Sequence, residues 1–173
     1  MLFLALFLLT AASTQLSFVA RLNQIVLDWF NFLPSLLFLI YPFNIYICLI
    51  WLAILSFFLY KQDKKTAFTF VFVFFATLFI EVLFKAFLET PGETSVLFGY
   101  ELAGGYPSGH VLRATLFAGG LRILGFAPWV WILPASQAVA MLSIDGHWPT
   151  DLLGGFLLAA AGLCFIKKNS ESN

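Results

Sequence analysis

The stretch Thr66–Phe84, TAFTFVFVFFATLFIEVLF, holds one ionisable residue, Glu81, in an otherwise apolar and hydroxyl-bearing run. About 20 such residues, rising ~1.5 Å each in a helix, cross the hydrocarbon core of a bilayer. The stretch therefore predicts a membrane-spanning helix, and the rest of the chain agrees. Hydrophobic residues make up 61% of the sequence and charged residues 10%, with a mean hydropathy of +0.95. Soluble domains run near about 45–50% apolar and about 25% charged. A chain of 173 residues cannot hide that much apolar surface in its own core, so lipid must cover it. The reading is an all-α, polytopic helical bundle forming one domain over 1–173. Net charge is zero, which argues against a nucleic-acid partner. Cys48 and Cys164 sit inside apolar stretches and read as small hydrophobes.

Working outward from Thr66–Phe84, five further spans are expected: Leu2–Ala20, Asn44–Tyr60, Ser108–Leu124, Ala127–Ser143 and Thr150–Ile166. The opening MLFLALFLLTAAS has no basic n-region, and its apolar run resumes at Leu16, so it reads as a retained first helix. Ile25–Phe43 is apolar but broken by Asp28, Asn31, Pro34 and Pro42. It is assigned to the membrane interface as a helical segment. Lys61, Lys64 and Lys65 fill one short connection, Arg122 ends another, and Lys167 and Lys168 close the last span. Because cytoplasmic loops carry the excess of Lys and Arg, both termini are expected in the cytoplasm. The connections 85–107 and 145–150 then face outward in a multi-pass protein of the cell membrane.

One histidine of the chain, His147, lies in the second of these connections, and the other, His110, follows the first directly, at the start of the next span. His110 lies in Tyr106-Pro107-Ser108-Gly109-His110. Pro107 ends any preceding helix and Ser108 is a candidate N-cap for the next. The N–H groups of Gly109, His110 and Val111 would then project from a helix start, an arrangement suited to a phosphate oxygen. His147 lies in Asp145-Gly146-His147-Trp148-Pro149-Thr150-Asp151. Pro149 suits a first helical position, and Asp151 falls in the first turn, where a carboxylate is favoured. A carboxylate on one ring nitrogen fixes the tautomer of a histidine and frees the other nitrogen to attack. Lys85 ends the Thr66–Phe84 span at the same face, either as a phosphate cation or as a snorkelling interface lysine. Glu81, one turn earlier, is in register to pair with it. Arg113, three residues after His110, is either a second phosphate ligand or the partner of an acidic group.

Taken together, these residues resemble the type 2 phosphatidic acid phosphatase superfamily. Pro107-Ser108-Gly109-His110 matches its second motif in full, and His147 and Asp151 match the end of the third, within HWPTDLLGG (147–155). Lys85 matches the start of the first. The resemblance runs from Glu81 to Gly155. It departs at Gly92 and Glu93, where the family carries Arg-Pro, and at Ala140 and Met141, where it carries Ser-Arg. The resemblance implies a lipid phosphate phosphatase needing neither metal nor other cofactor. By it, His147 is the nucleophile, Asp151 orients His147, and His110 is acid and then base. Lys85, Ser108, Gly109 and Arg113 would bind phosphate. The implied partners are a phospholipid or polyprenyl phosphate substrate and membrane lipid. The competing reading is a phosphatase-like protein that binds a lipid phosphate or a membrane partner without hydrolysis. A transporter is disfavoured, since Glu81 is the one charge within a span away from its ends.

Overall fold

A computed structural model describes residues 1–30, 36–88, 95–97, 100–102, 104–144 and 146–170. Asn31, Pro34, Gly92, Glu93 and Asp145, each singled out above, lie outside the described residues. Among the described residues seven helices follow in order: α1 (Leu2–Ser13), α2 (Ser17–Phe30), α3 (Ile45–Gln62), α4 (Lys64–Phe87), α5 (Gly109–Ile123), α6 (Ile132–Ser143) and α7 (Pro149–Ser170). Short 3₁₀ turns at Leu37–Leu39, Tyr41–Phe43 and Pro128–Trp131 link them. One small departure from an all-α chain is an antiparallel hairpin between α4 and α5, β1 (Ser95–Leu97) and β2 (Tyr100–Leu102), pairing Val96 with Glu101.

Helices α3, α4 and α7 are each long and apolar enough to cross a membrane. The stretch Leu2–Ala20 differs from its expected form: it is not one straight span. Helix α1 ends at Ser13 and α2 leaves it at 95°. At the bend the hydroxyls of Thr10, Ser13 and Thr14 donate back to Leu6 O, Thr10 O and Ala11 O at 2.7, 2.8 and 2.7 Å. Such bonds compete with the helical ladder and often bend it. Beyond the bend α2 is amphipathic. Phe18, Leu22, Ile25 and Trp29 form an exposed apolar stripe, Arg21, Gln24 and Asp28 an exposed polar one, and Asn23 and Leu27 face the bundle. Ile25–Phe30, expected in the interfacial segment, thus belongs to α2.

Helix α4 shows how the apolar pattern sets the orientation of its charges. Phe68, Phe72, Phe75 and Phe79 are exposed, while Phe70, Val73, Phe74, Thr77, Glu81 and Lys85 are buried. Spacings of three and four keep each set on one face. Glu81 and Lys85 therefore lie on the bundle face and Lys85 does not snorkel. Asp63 caps the helix, accepting from the N–H groups of Lys65 and Thr66 at 3.2 and 2.8 Å. The Thr66 hydroxyl and these N–H bonds hold its carboxyl below the usual range.

Helix α5 is the central element and packs against α3, α4, α6 and α7. Lipid tails are as apolar as the side chains they replace, so helices in a membrane associate through close packing and small residues. Gly119 and Gly120 of α5 meet Leu163 and Leu55, and Gly162 of α7 meets Val73. At the upper crossing, Gly155 of α7 lies against the Ser108 carbonyl. The C-terminal end of α7 returns beside the start of α4, where the Asn169 amide donates to the Thr69 hydroxyl at 3.2 Å. A cavity of about 550 Å³ at that end is lined in part by Asp63, Arg122 and Lys167. The cations used above for orientation thus share one end of the bundle.

Candidate active site

At the other end, α4 finishes and α5 and α7 begin. Tyr106, in the segment before α5, is fully buried, and its hydroxyl donates to Phe7 O at 2.7 Å. Its ring stacks on Phe7 at 5.4 Å and lies against Gly154. These contacts fix the approach to Ser108. Ser108 occupies the N-cap position of α5, but its hydroxyl makes no cap bond, in contrast to the sequence expectation. That hydroxyl is buried without a protein partner. The first helical bond of α5 runs from Leu112 N–H to Ser108 O at 3.1 Å. The N–H groups of Gly109, His110 and Val111 consequently have no acceptor within the helix.

Helix α7 starts at Pro149, as its ring favours. Asp151 is buried in the first turn and does three things. One carboxylate oxygen, Oδ2, accepts from Trp148 N–H at 3.1 Å, closing the helix start. The same oxygen faces His147 Nδ1 at 3.5 Å. Its backbone carbonyl accepts from Ser108 N–H at 2.9 Å, tying the His147 segment to the start of α5. The Nδ1–Oδ2 separation lies within ion-pair range but beyond a well-formed hydrogen bond. Catalytic hydrogen bonds are often long before substrate binds. The His147 side chain is only 10% exposed, more enclosed than a histidine at an interfacial helix start would be.

Lys85 Nζ lies 2.9 Å from Glu81 Oε1, with both side chains buried. Arg113 Nη1 lies 3.2 Å from Glu81 Oε2, and Arg113 Nε donates to Phe43 O at 2.9 Å. Of the two roles left open for Arg113, the geometry gives it the acidic partner. Gly109 sits directly on this pair: a Cβ there would fall 2.0 Å from Glu81 Oε1 and 2.6 Å from Arg113 Nη1. His110 lies within electrostatic reach of Arg113, His147 and Lys85, and Glu81 within reach of His147. The expected residues therefore gather at one end of the bundle: His110, Ser108, Gly109 and Arg113 from α5 and its cap, His147 and Asp151 from the start of α7, and Lys85 from α4.

Two features escaped the sequence reading. Asn23 of α2 clasps Thr150: its amide donates to the Thr150 hydroxyl at 3.0 Å and its carbonyl accepts from Thr150 N–H at 3.4 Å. Nothing in the local pattern links residues so far apart. Met141, at a family arginine position, is buried in an apolar cluster with Leu27, Val111 and Leu152. Val111 and Leu152 adjoin His110 and Asp151 in the chain, so this apolar cluster lies beside both residues.

No protein-family model matches the chain. It is 35% identical over 72 residues to an undecaprenyl-diphosphatase of Sulfolobus acidocaldarius, covering 39% of this chain and 34% of that protein. The match thus spans about a third of the relative's length. The chain is also similar to the crystal structure of a transmembrane PAP2-type phosphatidylglycerolphosphate phosphatase from Bacillus subtilis. There the TM-score is 0.80 at 16% identity, over 98% of this chain and 94% of that one. That likeness shows the fold: the helices are arranged as in a PAP2-type membrane phosphatase, as the motif resemblance implies.

Proposed function

We propose that this protein is an integral membrane phosphatase that removes a phosphate from a lipid headgroup through a phosphohistidine on His147. The observation that carries the proposal is the placement of the His147–Asp151 pair against the start of α5. A 2.9 Å bond from Ser108 N–H to Asp151 O joins the two. With Asp151 facing Nδ1, the tautomer protonated there is favoured and Nε2 is left as nucleophile. Nε2 attacks phosphorus; the P–O bond to the lipid breaks, and His110 gives the leaving oxygen its proton. His110 then takes a proton from water, which attacks the phosphohistidine and returns Nε2 with release of phosphate. Charge on the transferring group is met by Lys85, the free N–H groups of α5 and the unpartnered Ser108 hydroxyl. No metal has a part in this scheme.

Phosphatidate, polyprenyl diphosphate, phosphatidylglycerol phosphate and lipid A present a phosphate at a similar depth, and both similar proteins are named for such lipids. The measurement that tests the proposal is phosphate release from this panel by purified protein in detergent. Hydrolysis of at least one lipid that survives chelation of metals is expected. Silence on the whole panel would favour the second reading, a protein that binds lipid phosphate without cleaving it. The burial of Met141 at a family arginine position is the observation in favour of that reading.

In the membrane, we place the histidine end outside and the cation-bearing end in the cytoplasm, with α2 lying in the outer interface on its apolar stripe. With Cys48 and Cys164 replaced, an impermeant thiol reagent on intact cells should label Phe87→Cys and spare Ser170→Cys. The reverse pattern, or labelling of both, would invert or refute this topology.

A further inference from the structure

Glu81 is a buried carboxylate that the mechanism above does not use. We propose that it is a positioning residue of the phosphate site. In this proposal Phe43 O, Arg113, Glu81 and Lys85 form one relay that aims the Lys85 ammonium at the phosphate. The inference rests on the reading of Lys85 as a phosphate-binding cation.

Each link is short and enclosed. Arg113 Nε is fixed by Phe43 O at 2.9 Å, Arg113 Nη1 meets Glu81 Oε2 at 3.2 Å, and Glu81 Oε1 meets Lys85 Nζ at 2.9 Å. The side chains of Lys85, Glu81 and Arg113 are 8%, 3% and 6% exposed. A lysine is a point charge on a flexible stem, whereas an arginine is a planar fork that fixes direction. The relay passes the rigidity of the arginine, itself anchored to backbone, to the lysine through a carboxylate with one oxygen for each. Gly109 completes it. Its missing side chain leaves the space that Glu81 Oε1 occupies, 2.0 Å from where a Cβ would stand. In this chain the glycine of Pro107-Ser108-Gly109-His110 thus admits Glu81 to the underside of α5 as well as leaving the helix start open.

The chemistry gives this arrangement a purpose. Arg113 is committed to Glu81 and Phe43 O, which leaves Lys85 as the side-chain cation that this reading assigns to the phosphate. A single cation stabilises a transition state only if it is held where the charge develops. Glu81 also balances Arg113, so the three groups carry a net single positive charge: two cations less one carboxylate.

The test is a double-mutant cycle between Glu81 and Lys85, read by turnover and by orthovanadate binding, since a pentacoordinate vanadate resembles the transition state. Glu81→Gln should lower kcat and weaken vanadate binding, each by about tenfold to a hundredfold, the scale of a misplacement of about 1 Å. In a Lys85→Met background the same change should cost less than about twofold, because residues acting as one unit are not additive. Glu81→Gln leaves Arg113 without its partner, so Glu81→Gln with Arg113→Gln serves as the variant that folds, with the same expected losses. An unchanged kcat in both Glu81 variants would overturn the proposal. An equal loss with and without Lys85 would overturn it too, as a purely structural role predicts that result. Vanadate binding without turnover of any lipid phosphate would sink the proposed hydrolysis while the binding cycle still decides the relay. Absence of both vanadate binding and turnover would end both; where turnover is seen without vanadate binding, the kcat cycle alone decides the relay.

Discussion

Replacing His147 with alanine is expected to abolish phosphate release, by a factor on the order of 10⁴ or more, as for removal of a nucleophile. Folding should survive. Asp151 keeps its bond from Trp148 N–H, and its carbonyl keeps the bond from Ser108 N–H. Neither depends on the imidazole. Loss of the ring does remove the group that Asp151 Oδ2 faces, so His147→Asn provides a polar replacement if the alanine variant is unstable in detergent. The matching His110→Ala change separates the two halves of the reaction. With an aryl phosphate, whose leaving group needs no proton, His147 can still attack. Water activation is then lost, so a phosphoenzyme labile to acid and stable to base should accumulate. A His147→Ala protein that releases phosphate at more than about a hundredth of the parent rate would remove His147 from the nucleophile's role. Failure to trap any phosphoenzyme in His110→Ala would point to direct attack by water.

Much of this site was legible in the sequence because its determinants are local. Pro149 sets the start of α7, and the four-residue spacing of His147 and Asp151 then brings carboxylate and ring together. The same spacing on α4 puts Lys85 beside Glu81. Helix propensity and period suffice for both. The partner of Arg113 was left open because it is set by the packing of α5 on α4, which no spacing within one helix encodes. Likewise, the clasp of Asn23 on Thr150 depends on the bend after Ser13. At that bend three hydroxyls back-bond to the helix, a tendency that serine and threonine also have in many helices that remain straight, so it does not mark the bend in the sequence. The apolar run through Leu16–Ala20 pointed the other way, since hydropathy counts residues and is blind to direction. Ser108 was placed correctly as a cap residue, yet its side chain was not, because the hydroxyl rotor responds to tertiary surroundings.

The glycines of the Leu152-Leu153-Gly154-Gly155 stretch carry the second large expected effect. A Cβ on Gly155 would lie 2.3 Å from Ser108 O and 3.2 Å from Leu112 N. Both neighbours are backbone atoms at the start of α5, so no rotamer change relieves the clash. Ordinary contact requires about 3.5 Å, and α7 must therefore retreat from α5 by about 1 Å. The retreat acts on the 2.9 Å bond between Ser108 N–H and Asp151 O, and through it on the spacing between His147 and the α5 N-terminus. Gly155→Ala is expected to cost about 1–3 kcal/mol of stability by overpacking. It should cost about a hundredfold in kcat, the scale of such a displacement in a preorganised site. Leu153→Ala supplies the comparison: that side chain is 49% exposed on the outer face of α7, and its truncation should leave kcat within about twofold. Gly162→Ala is a second comparison. Its Cβ would meet Val73 Cγ1 at 2.5 Å, two turns further from the histidines. It should lower the melting temperature while sparing turnover at low temperature. If Gly155→Ala loses no more activity than Gly162→Ala at matched stability, the contact between α7 and the start of α5 is packing alone and does not set the catalytic geometry.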